Sequence, residues 1–159
     1  MIASVTTLKA SEHEHQATVF EWAGLQETRW PVLKLLHSIP NGGGRGKPFI
    51  TKAGKRLPPL LAVKLKREGL RPGIPDIHLP APRGPFCGLY IEMKAEDGKV
   101  SDKQKEMIPL LRAEGNFVRV CYSSREAIKI ILDYIRLPLP RNHILNLPIK
   151  LIAEEAEEE

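Results

Sequence analysis

Gly73-Ile74-Pro75-Asp76-Ile77-His78, followed after a proline-rich turn by Tyr90-Ile91-Glu92-Met93-Lys94, is the stretch on which the fold turns. Pro75 has no backbone N–H to donate, so it suits the start of a strand and leaves Asp76 at the strand's beginning. In the second segment, the period-two alternation of a strand puts Glu92 and Lys94 on one face and Ile91 and Met93 on the other. Between them, Pro80-Ala81-Pro82-Arg83-Gly84-Pro85 is rich in turn formers, which predicts an antiparallel hairpin of residues 76–79 and 89–95. Such pairing brings Asp76 beside Glu92, and two carboxylates and an amine then meet at one end of a sheet. Close carboxylates repel, and burying them unpartnered is costly. A divalent cation resolves the conflict, because hard Mg²⁺ or Mn²⁺ prefers oxygen ligands and keeps several waters. It would acidify a water and polarise a phosphate oxygen, with Lys94 placed to orient the attacking water and offset growing charge. A Glu-x-Lys triplet alone is a weak signal, and Asp97-Gly98-Lys99 offers a decoy. Gly98 and the lack of apolar neighbours mark the decoy as a turn, whereas Glu92-Met93-Lys94 continues Leu89-Tyr90-Ile91. The plain alternative is a hairpin whose Glu and Lys face solvent as a cross-strand pair.

Outward from the hairpin, helices and strands alternate. Ser11 is placed to cap a helix running to about residue 25, with Ala17, Phe20, Trp22 and Ala23 among its apolar positions. Leu33-Lys34-Leu35-Leu36-His37-Ser38-Ile39 reads as a strand ended by Pro40 and Asn41-Gly42-Gly43-Gly44. A long glycine- and lysine-rich loop follows, until Pro58 or Pro59 opens a helix through Leu60, Leu61, Val63 and Leu65 that stops at Gly69. After the hairpin come a helix over about residues 101–114, a buried strand over 116–122, and a last helix to about 136 capped by Ser123 or Ser124. Ala127, Ile128, Ile131, Leu132 and Ile135 form the apolar side of that last helix. Pro109 implies a kink or an early end in its helix. The order α–β–α–β–β–α–β–α predicts an α/β fold, a mixed sheet flanked by helices. We divide the chain into a domain of residues 1–137, with a basic loop at 45–59, and an extended arm and acidic tail at 138–159.

Composition narrows the function. The 159 residues suit one domain with one core. No apolar run approaches the ~18 residues of a membrane helix, and residues 1–9 lack the pattern of a secretory signal. Cys87 and Cys121 form no C-x-x-C pair and fit reduced, packed thiols in an intracellular protein. A membrane protein, a disulfide miniprotein and a cysteine-based zinc module are all excluded. The net charge of +5 understates the basic character, because Glu154–Glu159 holds five of the 19 acidic residues. From Arg45 to Arg71 run nine bases (Arg45, Lys47, Lys52, Lys55, Arg56, Lys64, Lys66, Arg67 and Arg71) against Glu68 alone. Such a cluster attracts a phosphate backbone by steering and counterion release, although charge runs are often only solvated surface. The acidic tail is a solvating end or a mimic of nucleic acid that folds back on the basic surface.

These residues resemble the virus-type replication-repair nucleases of the PD-(D/E)xK superfamily, over roughly residues 11–134. The likeness begins at Glu12-His13 with Gln16 and continues at Ile39-Pro40-Asn41-Gly42-Gly43. Lys64-Leu65-Lys66-Arg67-Glu68-Gly69 leads into Pro72-Gly73-Ile74-Pro75-Asp76, and Gly88-Leu89-Tyr90-Ile91-Glu92-Met93-Lys94, Ser101 with Gln104, and Val120-Cys121-Tyr122 complete it. The resemblance implies a restriction-endonuclease-like α-β-β-β-α-β core and a Mg²⁺-dependent deoxyribonuclease, with Mn²⁺ substituting. It implies that Asp76, Glu92, Met93 and Glu12 surround the metal, that Lys94 is the catalytic lysine, and that Gln104 supports them. Asn41, Arg45, Lys47, Lys52, Lys55, Arg56 and Lys64 are then the expected DNA contacts. Branched DNA such as four-way junctions is the expected substrate, a homodimer the expected assembly, and the cytoplasm of a bacterial or phage-infected cell the expected location. The chain departs from the family in the length and basicity of residues 45–59.

Other candidates carry less. Ser101-Asp102-Lys103-Gln104 is a capping box, which explains Ser101 and Gln104 without catalysis. Glu12 near a helix start simply favours the dipole, and Glu14 is the alternative acid. Asn41-Gly42-Gly43-Gly44-Arg45-Gly46-Lys47-Pro48 fails as an ATP-binding loop at Asn41 and Pro48. His13 and His15 point to different helix faces, and Trp22 and Trp30 suit core packing. A non-catalytic nucleic-acid-binding accessory protein on the same scaffold is the rival reading, and among enzymes an exonuclease or nicking nuclease without junction preference is the alternative.

Overall fold

The hairpin around the proline-rich turn is the centre of the molecule. The computed structural model describes residues 10–40, 49–50, 52, 56–57 and 59–140. In chain order these form α1 (Glu12–Gln26), a 3-10 turn (Pro31–Leu35), β1 (His37–Ser38), β2 (Phe49–Ile50), β3 (Arg56–Leu57), α2 (Leu60–Arg67), β4 (Ile77–Leu79), β5 (Leu89–Met93), α3 (Asp102–Ala113), β6 (Phe117–Cys121) and α4 (Ser124–Ile135). The main sheet has the order β1-β4-β5-β6, antiparallel except for the parallel pair β5–β6. A parallel pair needs a crossover connection, and α3 supplies it. The fold is thus the expected mixed sheet with flanking helices.

The register pairs Ile77 with Ile91, His78 with Tyr90 and Leu79 with Leu89. Alternation then sends Ile77, Leu79, Leu89, Ile91 and Met93 to one face, where all are buried. They join Val19 and Ala23 of α1 and Ala127, Ile131, Tyr134 and Ile135 of α4 in one apolar cluster. The buried Tyr134 hydroxyl donates to the Ala81 carbonyl at 2.8 Å, tying α4 to the turn between β4 and β5. Trp22 and Trp30 pack, partly buried, against the same cluster.

Several expectations give way to local physics. Residues 33–39 are not one strand. Pro31 opens a 3-10 turn, with the Leu33 N–H bonding the Trp30 carbonyl and the Leu36 N–H bonding the Leu33 carbonyl. Leu33 and Leu36, three apart, both turn inward, so only His37–Ser38 pairs as β1. The strand at 116–122 lies at the sheet edge, where Val118 and Cys121 are buried and Arg119 is exposed. Pro109 does not end α3, which continues to Ala113. Of the two free thiols, Cys121 is buried as expected, but Cys87 is exposed. No residue of α2 is buried, and Leu60, Leu61 and Val63 remain exposed. The arm and tail at 141–159, and most of the 45–59 loop beyond the short β2–β3 pair, lie outside the described residues. No helix among the described residues is long and apolar enough to cross a membrane.

Gly73 seats the approach to Asp76. Its φ is +93°, and a Cβ there would lie 2.3 Å from the Lys103 carbonyl oxygen and 3.1 Å from the Gln104 nitrogen. Only glycine lets this loop touch the first turn of α3. Gly69 has a similar φ of +95° but nothing within 4 Å of the added carbon. Gly73→Ala is therefore expected to cost about 2–3 kcal/mol, against about 1 kcal/mol for Gly69→Ala. Urea denaturation of the two variants checks the difference.

His78, packed between His37 and Tyr90, has its pKa pushed down from 6.5 to about 4 by burial, with the charge of His37 adding to it. A depressed folded pKa contributes stability that is present above pH 6.5 and is lost as the pH falls towards 4, because the unfolded chain protonates first. His78→Phe keeps the ring without the proton site. The stability difference between wild type and this variant is expected to change between pH 6.5 and 4 and to be flat above that window, as read by denaturation at stepped pH in EDTA.

Candidate active site

Four elements meet at one end of the sheet. Pro75, fully buried, ends the approach loop, and Asp76 follows one residue before β4 begins. Carrying the Ile77–Ile91 register back by one residue puts Asp76 opposite Glu92. The Asp76 Oδ2 accepts the Met93 N–H at 2.9 Å, so the main chain of β5 itself anchors this acid. Glu92 and Lys94 leave β5 on the same side, as alternation predicts. The Lys94 Nζ donates to the Glu92 Oε1 at 2.6 Å and lies 3.6 Å from the Glu12 Oε1. Both partners are out of solvent, Glu92 at 1% exposure and Lys94 at 7%.

The two helix starts close the cluster. Ser11 and Glu14 form a reciprocal capping box on α1, which occupies Glu14 and leaves Glu12 to face the sheet. The Ala95 N–H donates to the Glu12 Oε1 at 3.4 Å. On α3 the Gln104 Oε1 accepts the Ser101 N–H at 2.8 Å, completing the expected capping box. Its Nε2 simultaneously donates to the Glu92 Oε1. The carboxamide has an acceptor end and a donor end, so capping and contact with the site are not alternatives.

The charges do not balance locally. Burial drives the Glu92 pKa up, Lys94 opposes it and the nearby Asp76 charge adds to it, for a net rise to about 7. Burial by itself would lower the Lys94 pKa, but Glu92, Glu12 and Asp76 together outweigh it, so the net shift is upward and the ammonium stays charged. One ammonium thus serves a cluster with several carboxylates. The Glu92 Oε2 is buried without a hydrogen-bond partner, an arrangement that normally costs a few kcal/mol. A cation would relieve both problems. The donors are hard carboxylate oxygens of Asp76 and Glu92, with Glu12 at the rim. Among the described residues, no three His, Cys, Asp or Glu side chains group closely enough to cage an ion by themselves. Carboxylate oxygens are the donors that a hard divalent cation prefers. Of Met93 only the main chain is a candidate, because its thioether is fully buried in the apolar cluster.

The acids, the lysine and the amide singled out in the sequence meet here, but what holds them in place carries no sequence signal. The Met93 and Ala95 N–H groups anchor Asp76 and Glu12, and backbone amides carry no residue-type signature. Gly98, read only as part of a decoy turn, makes room: a Cβ there would lie 3.0 Å from the Ala95 carbonyl oxygen and 3.2 Å from the Glu12 Oε1. The expected DNA contacts are not brought to the carboxylates by any described contact. Lys52 is exposed in a turn, and Lys64 pairs with Glu68 along α2 at 3.7 Å. Arg56 lies in β3, while Asn41, Arg45, Lys47 and Lys55 fall outside the described residues. His15 is half-buried, its Nδ1 accepting the Ser124 N–H at 3.4 Å.

The family model described as the VRR-NUC domain matches residues 11–125. A solved structure described as a "VRR_NUC domain protein" resembles the fold with a TM-score of 0.65 at 28% sequence identity, over 83% of this chain and 93% of that one. No curated protein matches the sequence. The matched span runs from the cap of α1 through both carboxylates of the hairpin to the first turn of α4, and the chain belongs to the VRR-NUC domain family.

Proposed function

We propose that this protein is a divalent-metal-dependent DNA endonuclease that hydrolyses phosphodiester bonds and acts on branched DNA such as four-way junctions. Membership of the VRR-NUC family implies a nuclease. The observation that carries the metal and the residue roles is the buried Glu92 carboxylate, short of one partner, beside Asp76 and clamped to Lys94. Mg²⁺, or Mn²⁺ in its place, held by Asp76 and Glu92 would supply Lewis acidity to the scissile phosphate and to the attacking water.

The chain's own groups do the positioning. Gln104 and Lys94 fix one oxygen of Glu92, leaving the other turned to the site. Lys94, held protonated, acts as a hydrogen-bond donor: it orients the attacking water and offsets charge on the phosphate as it grows. Glu12 steadies the ammonium from the half-exposed side. Attack in line with the bridging 3′ oxygen joins the water oxygen to phosphorus and breaks the P–O3′ bond. The products are a 5′-phosphate and a 3′-hydroxyl: the attacking water gives up one proton to solvent as it bonds to phosphorus, and the leaving O3′ takes one up from solvent. The basic residues between Arg45 and Arg71 hold the DNA backbone. Symmetric cutting of a four-way junction takes two such sites, hence a homodimer.

Purified protein on branched and linear DNA with Mg²⁺, Mn²⁺ or EDTA tests this. Glu92→Ala and Lys94→Ala are each expected to slow cutting by about 100-fold or more, and Gln104→Ala by about 10-fold. Undiminished cutting by the first two would refute the assigned chemistry, and binding without metal-dependent turnover would favour a non-catalytic role. Metal binding has its own readout. The raised Glu92 pKa means that its contribution to metal-free stability is present below pH 4.5 and lost as pH rises through 7. Mg²⁺ without DNA is therefore expected to raise Tm more at pH 8 than at pH 5.5, and Glu92→Ala to remove that difference.

A further inference from the structure

The sheet face that carries Asp76 and Glu92 continues outward, by the same alternation, to His78 and Tyr90, and His37 extends the row onto β1. The three rings form a ladder across three strands. His78 and Tyr90 stack with centroids 4.1 Å apart and planes 12° apart, and His37 meets His78 edge-on at 5.1 Å. His37 is exposed, while His78 and Tyr90 are half-buried. The other face of these strands is filled by Ile77, Leu79, Leu89 and Ile91. Among the described residues, α1 and α4 pack on β5, α3 and α4 pack on β6, and no helix packs broadly on β1 or β4. Among the described residues, no helix covers this aromatic strip beside the carboxylates, and His37 at its outer end is the exposed ring.

We infer that His37, His78 and Tyr90 form a docking strip for an unpaired nucleoside beside the scissile phosphate, so that the site favours branch points over continuous duplex. This rests on the nuclease reading above and extends it to substrate choice. Two residues along a strand advance ~6.7 Å, close to two nucleotide rises of ~3.4 Å in a stacked strand, which sets the ladder one or two nucleotides from the carboxylates. The rings add little grip on phosphate, which the basic segment already attracts. What flat rings take is the face of a base. A continuous duplex keeps those faces inside its own stack, whereas a junction or flap exposes them.

The test uses the whole chain in EDTA, with a three-way branched DNA bearing 2-aminopurine at its unpaired nucleotide and a fully paired duplex of equal length. Wild type is expected to bind the branched DNA about tenfold tighter than the duplex and to change the 2-aminopurine emission. His37→Ala and Tyr90→Ala are expected to remove most of that preference while leaving duplex affinity unchanged, and Tyr90→Phe to retain it. His37 is exposed, so its variant remains informative if Tyr90→Ala does not fold. Equal losses on both DNAs, or no loss on either, would overturn the proposal, as would a Tyr90→Phe protein as impaired as Tyr90→Ala. Cleavage by Glu92→Ala reports separately on the chemistry: persistent cutting there refutes the roles assigned to the carboxylate site and leaves the binding result standing.

Discussion

The carboxylate of Glu92, taken out of water beside Asp76 and pressed against the Lys94 ammonium, is the constraint around which the domain is arranged. A buried ion pair is costly to assemble, because each charge surrenders its hydration, and removing one partner leaves an uncompensated charge worth several kcal/mol. The surroundings respond to that cost. The Met93 amide takes Asp76, the Gln104 carboxamide takes Glu92, and the Ala95 amide takes Glu12. Two helix N-termini, those of α1 and α3, are brought to the same end of the sheet, where their positive dipole ends favour negative charge. The single oxygen of Glu92 left without a partner is then a specific gap in an otherwise satisfied network.

Strand β5 shows how one segment serves two environments. Leu89, Ile91 and Met93 are fully buried in the apolar cluster with α1 and α4, and Glu92 is equally buried on the other side. The period-two geometry of a strand separates these groups by the thickness of the backbone. The apolar side fixes the position of β5, and the polar side inherits that precision. Gly73 adds a second restraint by letting the Asp76 loop touch the start of α3, so the hairpin and the helix that carries Gln104 cannot drift apart.

Much of this was legible in the chain. Pro75 ahead of Asp76, the alternation through Glu92 and Lys94, and the turn formers at 80–85 led to the antiparallel hairpin and its facing acids. Ser11 and Ser101, each followed three residues later by Glu14 or Gln104, marked the two helix starts correctly. The stretch at 33–39 misled because Leu33, Leu35 and Leu36 suit a strand by composition. Pro31 and the burial of Leu33 and Leu36 on one side instead impose a tight turn. Gln104 read equally as a cap and as a support for the acids, since nothing local shows where the other end of its amide points.

The sequence by itself determined most of the elements, the face on which Glu92 and Lys94 lie, and the family, because periodicity, caps and turn formers act over a few residues. The tertiary structure alone decided that Glu12 rather than Glu14 meets Lys94, that Met93 contributes through its main chain, and that Gly73 and Gly98 make room for the cluster. It also decided that Glu92 is buried with one oxygen unpartnered. Each of these depends on groups far apart in the chain, and on backbone amides that are chemically the same at nearly every position. Their roles exist only once the sheet and the two helix ends share one region of space.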